Sequence, residues 1–126
     1  MARGGRFSDF LVTPWLQQIL AQTNFLGLTT QDPFSVGNAS TVEIIGQSYA
    51  RQIPTFTLTG RLLTSGGILT WQGIPPGAVV SHIAGWDAAF NGNLLWGAPI
   101  PGGVVSYPNG GYFQIPANQY FVGIDT

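Results

Sequence analysis

The side chains that could carry acid–base, nucleophilic or metal chemistry are few and widely spaced. The chain has a single histidine, His82, and no cysteine. A transition-metal site usually needs several imidazole or thiolate ligands, so this is poor material for one. As a general base His82 would need a partner, and alternation along an extended strand places Asp87 on the opposite face. We therefore expect no catalytic site, no metal and no cofactor.

The other polar motifs favour structural roles. Ser65-Gly66-Gly67 and Gly110-Gly111 lack the Lys-Ser/Thr of a phosphate-binding loop and are better explained as turns. Glu43 lies just upstream of a turn that leads into a strand holding Arg51, so the two could pair across the sheet and fix its register. In the alternative, Arg51 is on an exposed face and bonds only to water. The acidic residues form no close pair along the sequence: Asp9, Asp32, Glu43, Asp87 and Asp125.

Charge is scarce throughout the chain. Only 7% of the 126 residues are charged, against about 25% in a typical soluble domain. There is no lysine, and the net charge of −1 leaves no basic patch for nucleic acid. Few charges and many aromatic residues are typical of surfaces that partner copies cover. The alternative is a neutral, threonine-rich β monomer. The chain has no apolar run of about 18 residues, so we expect no membrane helix.

The segment 79–96 predicts a β-hairpin. Val80, His82, Ala84 and Trp86 alternate onto one face of the first strand. Asn91-Gly92-Asn93 then supplies residues that tolerate the positive φ of a tight turn. We expect Trp71, Trp86 and Trp96 to be core residues.

Upstream, the pattern predicts one helix and then strands. Leu11, Trp15 and Ile19 form an apolar stripe, and because Pro14 lacks an N–H we favour a helix from about residue 14 to 22, with 8–12 turn-like or helical. Residues 49–63 alternate in part as one longer strand, with Phe56, Leu58 and Leu62 on one face and with Pro54 marking a bulge or an edge. Short strands separated by turns predict an all-β fold, an antiparallel β-sandwich of jelly-roll-like or Ig-like type. We divide the chain into an N-terminal arm and short helix (1–23) and a β-sandwich domain (24–126).

The ordered set of motifs resembles a family of small structural proteins of tailed bacteriophages, labelled minor tail, tail fibre-like or head decoration proteins. The resemblance runs through Ser8-Asp9-Phe10-Leu11, Tyr49-Ala50-Arg51-Gln52, the hairpin 79–96 and the closing segment 115–124. It implies a non-enzymatic virion protein, assembled in the bacterial cytoplasm, whose partners are the major capsid or tail proteins. A homo-oligomer, with a trimer favoured, fits a decoration protein at a symmetry axis.

Two kinds of contact residue follow from this interpretation. For docking on the head or tail lattice we expect the arm and helix, namely Arg3, Arg6, Phe7, Phe10, Leu11, Trp15 and Ile19. The alternative function is a glycan-binding module at the tail tip, in which exposed aromatic and amide groups hold sugars. Its candidate contacts are Trp86, Asp87, Asn91 and Asn93.

Overall fold

The computed structural model describes residues 8–46, 48–100 and 102–123, without the side chain of Asp9. It confirms an all-β, antiparallel sandwich with an N-terminal helix. The elements in chain order are α1 (Asp9–Ala21), β1 (Phe25–Thr29), β2 (Phe56–Thr59), β3 (Leu62–Ser65), β4 (Leu69–Ile74), β5 (Ala78–Val80), β6 (His82–Trp86), β7 (Leu94–Pro99), β8 (Val105–Tyr107), β9 (Gly111–Ile115) and β10 (Phe121–Gly123). Two short 3₁₀ helices, Pro33–Ser35 and Ala39–Val42, lie between β1 and β2.

The strands form small antiparallel sheets. Two of these have three strands, in the orders β1-β6-β7 and β10-β3-β2, and two are pairs, β4-β9 and β5-β8. The predicted hairpin is present as β6 and β7, with Ala84 opposite Gly97. Asn91 and Gly92 have the positive φ values, 51° and 78°, that the turn chemistry predicts.

One main core fills the space between the sheets. The inward face of β1-β6-β7 contributes Leu26, Leu28 and Ile83, and Leu63 and Trp71 enter from other sheets. The Trp71 indole nitrogen donates to the Leu26 carbonyl at 2.9 Å, so this aromatic side chain is buried without an unpaired donor. Trp96 is half-buried against the same core and donates to the Tyr120 hydroxyl at 2.8 Å. Burial raises the pKa of Tyr120 to about 12.

The helix starts earlier than the preferred prediction. Helix α1 runs through Pro14, which lacks the N–H that would bond to the Phe10 carbonyl. The loss is limited to one bond, and burial of Val12 and Leu16 against the sheet stabilises the first turns. The Asn24 side chain ends the helix by donating to the carbonyls of Ile19 (2.8 Å) and Gln22 (3.1 Å).

The prediction of one strand over residues 49–63 is wrong. Those residues form an irregular segment and then a hairpin, with β2 and β3 joined at Gly60, whose φ is 60°. Threonine and leucine alternate on both sides of the turn, so the period-two pattern alone did not reveal the reversal. Leu63, rather than Leu62, lies in the core.

Candidate functional site

Two regions of the molecule hold the residues that sequence analysis singled out. The first is a polar cluster on the outer face of β1-β6-β7, and the second is the outward face of α1. Pro33, Glu43 and Arg51, which lie between β1 and β2 in the chain, reach this outer face because small residues leave room for them. Gly27, Ala84 and Gly97 are aligned across the strands, and a Cβ on Gly97 would lie 2.6 Å from Pro33.

Arg51 is the centre of the polar cluster, which we call the Arg51 cluster and define as Arg51, Glu43, Tyr49 and Trp86. Its guanidinium pairs with the Glu43 carboxylate at 2.8 Å through Nη2 and at 3.0 Å through Nε. This two-point contact is the geometry that arginine and carboxylate prefer. The structure therefore brings Glu43 and Arg51 together, but in an irregular segment and not, as expected, in the middle of a strand.

The remaining guanidinium protons reach across to the β6–β7 turn. Nη1 donates to the carbonyls of Ala88 (2.7 Å) and Asn91 (2.8 Å), and Nη2 also lies 3.4 Å from the Ser40 hydroxyl. A guanidinium has five N–H donors, and each has an acceptor here. The Arg51 side chain is only 3% exposed. Its donors are consumed within the fold, which makes it a structural residue rather than an anion-binding one.

Trp86 forms the floor of this cluster. The guanidinium carbon of Arg51 lies 3.9 Å from the centroid of its ring, a cation–π contact away from water. Ala39, Ala84 and Leu94 pack around the same ring. Trp86 is 1% exposed, so its expected role as a sugar-stacking tip residue is wrong. Its place in the core is confirmed.

Tyr49 and Gly27 complete the cluster, and sequence analysis gave neither a role there. The Tyr49 hydroxyl donates to Glu43 Oε2 and accepts from the Leu28 amide, both at 2.8 Å. Burial raises the pKa of Tyr49, and the neighbouring Glu43 carboxylate raises it further. Gly27 must lack a side chain, because a Cβ there would lie 2.5 Å from Glu43 Oε2 and 2.7 Å from the Trp86 ring.

The polar residues of the β6–β7 turn also form hydrogen bonds within the fold. Asp87 accepts from the Asn93 backbone at 2.7 Å and from its side-chain amide at 2.8 Å. These hydrogen bonds from Asn93 hold the pKa of Asp87 below its usual value. Asn91 supplies positive φ and the carbonyl that Arg51 binds. Asp87, Asn91 and Asn93 thus close the turn around Gly92.

The outward face of α1 is the second region. Val12 and Leu16 point into the core with Ile19 beside them, whereas Phe10, Leu11 and Trp15 are exposed. The predicted stripe of Leu11, Trp15 and Ile19 is therefore wrong by one position: Ile19 belongs to the inward face and is not a docking candidate. Phe10, Leu11, Thr13, Pro14 and Trp15 line an open apolar groove of about 570 Å³, which is within the size range of small-molecule binding sites.

Phe10 is the most exposed of the large apolar side chains in this groove, at 84%. The arm residues Arg3, Arg6 and Phe7, which were predicted to continue the docking surface, lie outside the described residues. Phe10, Leu11 and Trp15 together form the α1 outward face.

In the described part of the chain, no acidic side chain is hydrogen-bonded to His82. Its Nδ1 lies 2.7 Å from the Ser81 hydroxyl, its neighbour in sequence. Within residues 8–46, 48–100 and 102–123 no three His, Cys, Asp or Glu side chains come together as metal ligands. In the same residues, no helix has the length and apolarity to cross a bilayer.

No protein-family model matches the chain, and no curated protein matches it.

Proposed function

We propose that this chain is a non-enzymatic structural protein of a tailed-phage virion, which docks on the head or tail lattice through the α1 outward face. The observation that carries the proposal is a helix that is apolar on both sides. Its inward side packs on β2 and β3, and its outward side presents Phe10, Leu11 and Trp15 to solvent. A surface helix normally carries polar residues opposite its buried stripe, so large exposed apolar side chains on that side mark a candidate contact surface.

Covering this face would contribute part of the free energy of docking. Moving a large apolar side chain out of water contributes about 1.5–3 kcal/mol. Binding hot spots are enriched in aromatic residues that cluster in this way. The cost of association is several kcal/mol, so the face would hold the chain most firmly where many copies bind a repeating lattice.

The composition supports a covered surface in the same way. With charged residues at 7% of the sequence, solubility depends on neutral polar groups. Interface cores are depleted in lysine and acidic residues. The resemblance to small phage structural proteins supplies the class of partner, namely the major capsid or tail proteins, with self-association as a trimer favoured.

The chain offers a matched pair of variants for testing this docking. Phe10 and Phe90 are almost equally exposed, at 84% and 85%, but Phe90 lies at the tip of the β6–β7 turn. One variant combines Phe10→Ser with Trp15→Ser, and the control variant is Phe90→Ser. Each is supplied during particle assembly. Their copies per purified particle are then counted by quantitative mass spectrometry.

We expect the double variant to be incorporated at least about tenfold less than the wild type, since 1.4 kcal/mol corresponds to a factor of ten. Phe90→Ser is expected to be incorporated normally. Normal incorporation of the double variant, or an equal loss for Phe90→Ser, would contradict docking through α1.

A further inference from the structure

The outer face of the β4-β9 pair is an uncharged cleft with one exposed aromatic ring. Trp71 lies on the inward side of β4, with the Phe113 ring 5.8 Å away across the pair. Thr70, Gln72, Tyr112 and Gln114 occupy the outward positions and line a shallow cleft together with Gly73 and Gly111. Tyr112 is 62% exposed. We propose that this cleft binds an uncharged saccharide.

A β-bulge builds the cleft. The pairing of β4 and β9 shifts between Trp71 and Ile74, which leaves Gln72 and Gly73 outside the regular ladder. Bulges of this kind re-aim a side chain and are frequent beside binding sites. Gly73 has a φ of 69°, which favours glycine.

The bulge is held in place from behind. A Cβ on Gly73 would lie 2.6 Å from the Ser48 Cβ and 2.7 Å from the Tyr49 nitrogen. This close approach fixes the bulge against the segment that carries the Arg51 cluster. The floor of the cleft is therefore packed against the rest of the fold, and a ligand would meet a preformed backbone.

The lining determines the chemical class of the ligand. A tyrosine ring offers a flat apolar surface and a polar tip, and it can stack on the C–H face of a sugar ring. The amides of Gln72 and Gln114 each provide donors and acceptors that match vicinal hydroxyls. The Gln114 amide donates to the Thr70 hydroxyl at 3.1 Å, which orients it toward the cleft lining.

No charged side chain belongs to the lining among the described residues. A phosphate or carboxylate ligand would find no arginine or lysine to pair with there, so a neutral saccharide fits better than an anionic one. The site shares no residue with the α1 outward face or with the glycan contacts predicted at the β6–β7 turn. The saccharide-binding proposal can therefore be tested independently of the proposed function.

The test is binding of the full chain to an array of neutral hexasaccharides (malto-, cello-, xylo- and chito-oligosaccharides) and to anionic glycans, followed by NMR titration of any oligosaccharide that binds. The variants are Tyr112→Ala and Tyr112→Phe, and Phe121→Ala is the control because Phe121 is a similarly exposed aromatic residue on β10. All are checked for an unchanged thermal midpoint.

We expect at least one neutral oligosaccharide to bind, with shifts centred on Tyr112, Gln72 and Gln114. Tyr112→Ala is expected to weaken binding about tenfold, while Tyr112→Phe retains most of it and Phe121→Ala all of it. Binding to none of the neutral sugars, binding to anionic glycans alone, or binding unaffected by Tyr112→Ala would each overturn the proposal.

Discussion

The Arg51 cluster and the α1 outward face lie on different surfaces of one small domain, and they differ in how far their side chains are exposed to solvent. In the cluster a charged residue is 3% exposed and every guanidinium donor has an acceptor in the fold. On the helix, Phe10 is 84% exposed to water, and Leu11 and Trp15 are 47% and 43% exposed. The Arg51 cluster is enclosed by contacts within the fold, whereas the α1 outward face is accessible to solvent.

This difference separates stability from binding. A buried charge with its partners in place is costly to disturb, because each group left behind is unpaired. An exposed aromatic side chain adds little to the folded state and is available to a partner. The cluster, although it holds the most conspicuous polar residues, is therefore the scaffold, and the charge-free helix face is the candidate contact.

The largest expected effect comes from removing the centre of the cluster. Arg51→Met removes the guanidinium donors from the carbonyls of Ala88 and Asn91 and from Glu43, whose carboxylate keeps only the hydrogen bond from the Tyr49 hydroxyl. We expect the free energy of unfolding to fall by about 3–5 kcal/mol, as measured by urea denaturation. A loss below about 1 kcal/mol, the value typical of surface ion pairs, would show that the cluster is not the scaffold.

A double-mutant cycle sharpens this result. Glu43→Leu combined with Arg51→Met removes both charges, so no charge is left buried alone. We expect the pair to lose less than the sum of the single losses, with a coupling of about 1–3 kcal/mol. Simple additivity would contradict the direct pairing of the two side chains.

The second prediction concerns the small residue beneath the cluster. Gly27→Ala places a methyl group 2.5 Å from the Glu43 carboxylate, so the cluster must shift. We expect a loss of about 1–3 kcal/mol, the range of overpacking substitutions. Gly37→Ala is the matched control, because a Cβ there meets nothing within 4 Å, and it should change stability by less than about 0.5 kcal/mol.

The third prediction concerns the α1 outward face. Phe10→Ser should change the free energy of unfolding by less than about 1 kcal/mol, since Phe10 is 84% exposed and exposed positions contribute little. Thermal and urea unfolding of the purified variant measure this directly. A loss as large as that of Arg51→Met would mean that the α1 outward face belongs to the scaffold, and the contrast between the two regions would disappear.

The smallest expected effect is a pH dependence at the β6–β7 turn. The pKa of Asp87 is depressed in the folded chain by hydrogen bonds from Asn93. The contribution of Asp87 is thus complete above its usual pKa of 3.8 and is lost as the pH falls through the lower, folded-state value. Asp87→Asn should flatten this acid limb of the stability profile. An NMR titration midpoint for Asp87 above 3.8 would contradict the assignment.

Much of the sheet could be predicted from local chemistry. The β6–β7 hairpin followed from alternation and from Asn91-Gly92, because both signals act over a few residues. The β2–β3 turn did not, since Gly60 was the only local sign of reversal between two similar threonine-rich runs. The face of α1 was predicted one residue off because apolar residues occur on both sides of the helix.

The candidate sites show the same limit. Glu43 and Arg51 were singled out because charge is rare in this chain, but the roles of Tyr49 and Gly27 depend on contacts between distant segments. Trp86 was assigned both to the core and to a surface, and only the packing of Arg51 over its ring decides between them. The Tyr112 cleft depends on a bulge that has no clear sequence signal beyond Gly73.

The measurement that tests the central claim most directly is the copy number of the wild-type chain in purified phage particles, by gel densitometry against the major capsid and tail-tube bands. Our account predicts that the chain is present at a fixed ratio to one of these proteins. Hundreds of copies that scale with capsid subunits would place it on the head, and a handful would place it on the tail. Its absence from the particles would contradict the structural role.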